Sequence, residues 1–533
     1  MVKKYLDPSG TQYNINETKQ RLASLSQSIS ALAGVVGDIT AEVESLEEGL
    51  KPVAFSGSYN DLTDKPIIHQ IVGLRVDLRN QTFTRLGLAA DIANYNFSEL
   101  SIYGGRRRCN VANDGTITAY YGDANYKEDG SNGQVMVYQP KFYYKVKPID
   151  MEPQSETSEG GVGQHLRCAE YYVSPYPYNG FKLHPAFINQ NNEEVDYYLE
   201  GAYEASLYDV SAATYITDDS QVADFNSDRL SSIAGVKPIS GLTQNLTRAN
   251  TELLANNRGA GWHNTTIQID SADQLLMIIE FGTMNIQAAL GNGVTSVPDN
   301  SSYNCSALTG STSALGNASG RASETVVTKG SESTTYTANG YVSVSWRGKE
   351  NPYGNIWNFS QGLLVYGNGS MKGGVPFISD TMVYNEVPAV TQASSADEVK
   401  LAGYSNVGYT LTNNGLTTQT ITGGYISAFG WGVDSYEEDY DFDWLFIPTE
   451  AKGNSALPVG DYYGVTANLN GYRLARLGAN WNAGLAAGPF GLNVSDPPSS
   501  RFRAICGRAV YVPVRHLIEN KQGDDNKTSR IFI

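Results

Sequence analysis

Read alone, the sequence predicts an α+β chain: an N-terminal coiled coil followed by a β-rich domain with two helices and long loops. Three observations lead there. Residues 22–50 repeat apolar side chains at strict three- and four-residue spacing. Charged residues make up only 17% of the 533, whereas glycine (54) and tyrosine (35) abound, as in strand-rich, loop-heavy chains. Segments such as 134–146 (QVMVYQPKFYYKV) alternate apolar and polar for much of their length, the period of a half-buried strand.

Composition also excludes. The net charge of −17 offers nothing to offset phosphate repulsion, so no nucleic-acid partner is expected, and the basic run Arg106–Arg108 is too short to change that. Four cysteines (Cys109, Cys168, Cys305, Cys506) are widely spaced, without CxxC or zinc-type Cys/His pairing. They are expected to be free, buried thiols, in keeping with assembly in a reducing cytoplasm. No apolar run approaches 18 residues and Met1-Val-Lys-Lys leads into Asp7-Pro8. A soluble chain with no export signal and no membrane insertion is therefore expected.

In chain order, residues 1–21 are polar and hold Pro8 and Gly10, an extended segment suited to attachment. Leu22, Leu25, Ile29, Leu32, Val36, Ile39, Val43, Leu46 and Leu50 then form an a/d series without drift. An unbroken 3.5-residue repeat predicts a coiled coil over 22–50. Its β-branched a positions with leucine at d would by themselves allow a dimer. Residues 51–70 (with FSGSYNDLTDKP) read as a turn-rich connector, and 71–130 as a small β-rich neck.

Strands are predicted at Ile71–Leu78, Thr116–Tyr121 and Gln134–Val146, the last as an edge or bulged strand because of Pro140. Asp224–Ile233 is a weak helical pattern. Ser271–Gly291 is a strong one, with Asp273, Gln274 and Glu280 opposite its apolar face, Ser271 or Asp270 as N-cap and Gly291 as stop. Residues 292–338 hold too little apolar surface for a core of their own. Ser435–Pro448 reads as an acidic loop and then a buried strand, and 517–533 as a polar tail.

The stretch Gly471–Val512 differs from the rest. Glycines at 471, 478, 484, 488, 491 and 507 punctuate it, and between them stand Tyr472, Arg473, Arg476, Asn480, Trp481, Asn482, Leu485, Phe490, Leu492, Arg501, Phe502 and Arg503. Mixed Tyr, Trp, Arg and Asn on glycine-rich surface loops is the composition of a binding face. Of these, Trp481 and the apolar strand 504–512 are expected to support from within. Tyr472, Arg473, Arg476, Asn480, Asn482, Leu485, Phe490, Leu492, Arg501 and Arg503 are expected to point outward.

G-A-N-W-N-A-G-x-x-A-G-P-F (478–490) and S-x-R-F-R-x-I-C-G-R-A-V-Y-V (499–512) resemble the C-terminal end of C-type-lectin-fold phage receptor-binding proteins. That family includes tropism determinants diversified by retroelements. GRRRCNV (105–111), EDGSNGQVMVYQPKFYYKV (128–146), GFKLHPAFI (180–188), GAYEAS (201–206), EFGTMNIQAALGNG (280–293) and GYVSVSWRGKENPYGNIWN (340–358) are similar to further family segments, in the same order. FSGSYNDLTDKP resembles a connector of phage tail fibres. The resemblance covers about 51–512. It implies a parallel homotrimer and a C-type-lectin-like receptor-binding domain over 131–516. It also implies a virion location and attachment through the N-terminus to other tail or baseplate proteins. The implied function is a tail-fibre tip adhesin for a bacterial surface receptor, glycan or protein, with 472–503 as the receptor-contacting positions.

No catalytic constellation competes. There is no GxSxG, and the five histidines stand alone without HExxH; His184, before Pro185 in an apolar run, is expected in the core. Glu437, Glu438, Asp439, Asp441 and Asp443 could offer oxygens to a hard cation, but a solvated acidic loop is the expectation. The lectin fold also serves formylglycine-generating enzymes, but Cys506 has no neighbouring cysteine. No enzyme activity, cofactor or metal is therefore predicted. The alternatives are a structural fibre or decoration protein docking another phage protein, and a polysaccharide-degrading tail enzyme.

Overall fold

The computed structural model describes residues 17–36, 40, 70–154, 163–218, 222–242, 245–329, 334–368, 374–382, 384, 390–391, 399–411, 423–436, 440–465 and 470–514. The expectations for 1–16, Ile39, Val43, Leu46, Leu50, the connector 51–69, Glu437–Asp439 and the tail 517–533 lie outside the described residues. The chain divides into two units, Met1–His69 and Gln70–Ile533.

In the first unit residues 17–36 are helical. Arg21 and Glu17 pair across one turn at 2.7 Å, and Ser28 and Ser30 donate to the carbonyls four residues back. Among the described residues of this unit the apolar stripe is uncovered. Leu22, Leu25, Ile29, Leu32 and Val36 are each at least 56% exposed.

The second unit is strand-dominated with few helices, as the composition predicts. A seven-stranded sheet runs in the order Thr82–Gly87, Val72–Asp77, Gln164–Ser174, Ala428–Trp431, Pro448–Glu450, with Tyr143–Pro153 and Lys182–Leu183 on its other side. A six-stranded sheet follows the order Trp262–Asn264, Ala509–Tyr511, Tyr197–Gly201, Gln134–Pro140, Arg107–Val111, Ile117–Tyr120. A ten-stranded sheet is centred on Trp357–Asn368 and Asn470–Leu477.

Helix Ile267–Phe281 lies in the largest hydrophobic cluster, among residues of the seven-stranded sheet. Thr266 caps it, its Oγ1 accepting from the Ile269 N–H, and Gly282 ends it in the left-handed region at φ 69°. Helix Ile286–Leu290 follows, so the predicted single helix from 271 to 291 is two. The cap is Thr266 because the helix begins a turn earlier than its apolar face suggests.

Its supposed polar face is not a solvent face. Asp273 and Gln274 are buried. Gln274 donates to the Pro489 carbonyl at 2.7 Å, and Asp273 belongs to a buried ionic quartet. Arg106 pairs with Glu200 and, at 3.1 Å, with Asp273. Lys349 reaches both carboxylates at 2.6 Å. The Arg106 guanidinium also stacks 4.1 Å from the Trp346 ring. Burial pulls the Arg106 pKa down, but Asp273 and Glu200 outweigh it and raise the group above its ordinary value. Asp273, which burial would raise, is instead lowered by Arg106 and Lys349.

Other expectations are corrected by long-range pairing. Asp224–Ile233 is a turn followed by strand Arg229–Ser231, because Asp224 accepts from Asn226 and Ser227 and closes the turn locally. The helix nearby is Arg248–Asn256, capped by Thr247. Pro140 does not mark an edge. It is the last residue of a strand flanked on both sides, where its missing N–H breaks no ladder. The 71–130 segment is not a separate neck, since Val72–Asp77 pairs with Cys168–Val173 and Arg107–Val111 with Gln134–Tyr138. Residues 292–338 contain a hairpin, Val326–Lys329 with Thr334–Thr337, and bury Val294, Val297, Cys305 and Ala307 against the second cluster. Trp444–Ile447 are buried, but the strand begins only at Pro448. His184 is fully buried, packed against Phe142, Tyr144 and Trp444.

The predicted strand 504–512 is two. Ile505–Cys506 joins the ten-stranded sheet and Ala509–Tyr511 the six-stranded one. The break is Gly507-Arg508. A Cβ at 507 would stand 2.3 Å from the Asn264 Oδ1, and the buried Arg508 guanidinium donates to the carbonyls of Gly201, Glu350 and Asn351.

Removing Lys349 leaves two buried carboxylates on the single Arg106 guanidinium, with one negative charge uncompensated. Lys349→Ala is expected to cost about 3–5 kcal/mol, read as a lowered urea midpoint with an unchanged m-value.

Candidate binding face

The 472–503 stretch is built from strand Asn470–Leu477, a loop over 478–491, strand Leu492–Asp496 and a second loop to 503. The first strand pairs with Trp357–Asn368 on one side and Leu492–Asp496 on the other, so its backbone is held at the middle of the ten-stranded sheet.

Three aspartates anchor the face. Asp299 accepts the Trp481 indole N–H at 2.9 Å and takes both guanidinium nitrogens of Arg503 at 2.8 and 2.7 Å; Arg503 lies 5.4 Å from the Trp481 ring. Asp496 pairs with Arg476 at 2.9 Å, and the Arg476 guanidinium is clasped between the Trp357 and Phe502 rings, each 4.7 Å away. Burial lowers the Arg476 pKa, with Asp496 opposing. Asp461, fully buried, accepts the Phe490 N–H at 2.7 Å while its Oδ1 accepts no hydrogen bond. Gly488 passes so close that a Cβ would fall 2.0 Å from that oxygen. Burial pushes the Asp461 carboxyl from 3.8 up to about 8, against the pull of the Phe490 and Gly491 N–H groups.

Backbone contacts complete the anchorage. The Gly484 N–H donates to the Thr295 carbonyl at 2.8 Å, Gln287 Nε2 donates to the Gly484 carbonyl at 3.0 Å, and the Val297 N–H to the Trp481 carbonyl at 2.7 Å. Gly484 itself has a φ of 60°.

The predicted positions therefore separate. Phe490 and Leu492 do not point outward. Phe490 is fully buried, its ring 5.8 Å from Phe429 and 5.3 Å from Phe446, and Leu492 is 2% exposed. Asp461 draws the backbone inward between Gly488 and Gly491, carrying Phe490 into the core. Arg476, expected outward, is 13% exposed in its side chain because of the aromatic clasp. Arg503 is held on Asp299 with a side-chain exposure of 21%. Trp481 is buried. Tyr472, Arg473, Asn480 and Phe502 are half-buried; the Tyr472 ring lies 6.2 Å from Tyr366, and Arg473 donates to the Tyr472 carbonyl. Asn482, Leu485 (48%) and Arg501 are exposed, and Arg501 donates to Asn245 Oδ1 at 2.5 Å.

Asp299, Asp461, Asn245 and Gln287 escaped the sequence reading. Each acts on a partner 29 or more residues away, with no local motif to mark it. In the acidic loop Asp443 is buried rather than solvated, because Tyr144 OH and Lys182 Nζ hold it at 2.6 Å each. Among the described residues no group of three or more His, Cys, Asp or Glu is placed to hold a metal ion.

No protein-family model matches the chain, and no curated protein matches it. Solved structures to which it is similar include the Major Tropism Determinant P3c variant and the U1 variant. Both are 11% identical with a TM-score of 0.24, covering 76% of this chain and 71% and 72% of theirs. A likeness at that level carries no argument about fold or activity.

Asp461 gives the face a pH signature. Folded, its carboxyl keeps the proton up to about pH 8, whereas the unfolded chain releases it near 3.8. Its contribution to stability therefore declines as pH rises through that window, by at most about 1.4 kcal/mol per pH unit. Asp461→Asn should flatten the decline. Urea midpoints at pH 5 and pH 8 for both proteins check it.

Proposed function

We propose that the chain is a homotrimeric phage tail-fibre adhesin that binds a bacterial surface glycan or protein and catalyses no reaction. The observation that carries the reading is the division within 472–503. Carboxylates of Asp299, Asp461 and Asp496 anchor its inner side chains and backbone, while Asn482, Leu485 and Arg501 stay at the surface. A face fixed in advance loses little conformational entropy on binding. The exposed Leu22, Leu25, Ile29, Leu32 and Val36 supply the second support. An uncovered a/d stripe is stable only against copies of itself or another helix. Three tethered heads then raise avidity by orders of magnitude over a single shallow face.

The C-type-lectin-like fold of the head, the virion location, attachment through the N-terminus and diversification of 472–503 belong to the same reading. They rest on the motifs quoted above.

For assembly, light scattering of the intact chain is expected to return about three times 57.8 kDa. Ile29→Asp with Val36→Asp should dissociate it, because carboxylates in an apolar seam are poorly tolerated. A monomeric or dimeric mass for the unmodified chain would overturn the trimer.

For binding, the full chain is applied to bacterial cells and to arrayed bacterial surface polysaccharides. Arg501→Ala and Leu485→Ala should each weaken adsorption by about 1–4 kcal/mol and leave stability within about 0.5 kcal/mol. Adsorption unchanged in both variants, or depolymerisation of the polysaccharide, contradicts the reading.

A further inference from the structure

Apart from the 472–503 face, the described residues enclose a cleft of about 310 Å³. Its elements come from far apart in sequence: the 185–192 segment, the first turn of helix Ile267–Phe281, the turn after strand Val375–Ser379, strand Tyr404–Asn406, and the 442–444 segment. The floor is apolar and buried, with Ile378, Met382 and Trp444 each 3% exposed. The rim is polar and exposed, with Asn192, Asp380 and Ser405 at its edge.

The polar groups are oriented. Ser405 Oγ donates to Asp380 Oδ1 at 2.6 Å, which fixes the carboxylate and leaves its second oxygen facing no protein donor among the described residues. Gln268 lines the cleft and is only 6% exposed. The wall behind Trp444 is stiff, since Asp443 next to it is tied to Tyr144 OH and Lys182 Nζ.

This chemistry selects a ligand class. Among the described residues the lining contains one carboxylate and no cation, which disfavours anions. Its oxygen acceptors ask for hydroxyl or amide donors, and its apolar floor asks for a C–H surface. An amphiphilic ring meets both requirements, and the volume suits one or two sugar units. We propose that this cleft is a binding site for a neutral pyranose unit of a glycan, separate from the loop face. The half-buried Phe442 ring and Met382 would contact the C–H face of the sugar, and Asp380 would accept from its hydroxyls.

Saturation-transfer NMR on the full chain tests the site. The probes are the methyl glycosides of glucose, galactose, mannose and N-acetylglucosamine. At least one should receive magnetisation. Asp380→Ala, which removes a charge-assisted bond at an exposed position, should weaken its binding about tenfold or more. Thr381→Trp, which fills the rim at another exposed position, should abolish transfer. Arg501→Ala on the loop face should leave it unchanged. Transfer to none of the four sugars overturns the proposal, as does transfer that survives both cleft variants. Transfer lost only in Arg501→Ala would place the sugar on the loop face and likewise exclude the cleft. Loss of cell adsorption by the loop variants bears on the adhesin reading alone.

Discussion

Arg106, Glu200, Asp273 and Lys349 carry four formal charges into an interior where none could be left alone. Each comes from a different element: the start of strand Arg107–Val111, strand Tyr197–Gly201, helix Ile267–Phe281 and strand Lys349–Glu350. Two cations matched to two carboxylates bring the net charge to zero, and the Trp346 ring covers the guanidinium. An arrangement that docks three of these elements without the fourth buries an uncompensated charge, and the desolvation cost falls on the whole core. The helix is thereby fixed in rotation and register. The hydrophobic cluster around it, and the Gln274 contact to Pro489 beneath the loop face, follow from that placement.

Periodic elements were legible and their surroundings were not. The 22–36 stripe and the apolar core of helix Ile267–Phe281 show in the sequence because their signal is repeated every three or four residues. Arg248–Asn256 does not, since only Leu254 and Ala255 among its apolar side chains are buried and Thr247 is an unremarkable cap. Asp273 and Gln274 looked like a solvent face because polarity in sequence cannot distinguish water from a buried partner. Strand 504–512 looked continuous because Gly507 and Arg508 serve two sheets at once.

In the 472–503 stretch the glycine-punctuated loops are legible, but the division into inner and outer residues is not. Large side chains between glycines suggest a surface loop, yet Phe490 and Arg476 were assigned to the wrong side. Of the deciding groups, Asp461 lies before the glycine-rich stretch and acts through close backbone approach, whereas Asp496 lies within it and acts through its ion pair with Arg476, which no local pattern marks. The same contacts separate the mechanical role of the stretch from its chemical one. Residues that fix the loop have partners in the core, whereas Asn482 and Leu485 can change size or polarity without disturbing those partners.

Strand Ala509–Tyr511 has a further consequence. It lies between Trp262–Asn264 and Tyr197–Gly201, so the six-stranded sheet is joined by a segment synthesised long after both its neighbours. During translation the facing edges of 197–201 and 262–264 must wait, unpaired, for more than two hundred residues of later chain to emerge. Exposed strand edges recruit other strands. A ribosome that stalls before residue 509 would therefore leave an adhesive fragment rather than a smaller stable domain, and nascent chains crowded on one message would be the first neighbours available to it.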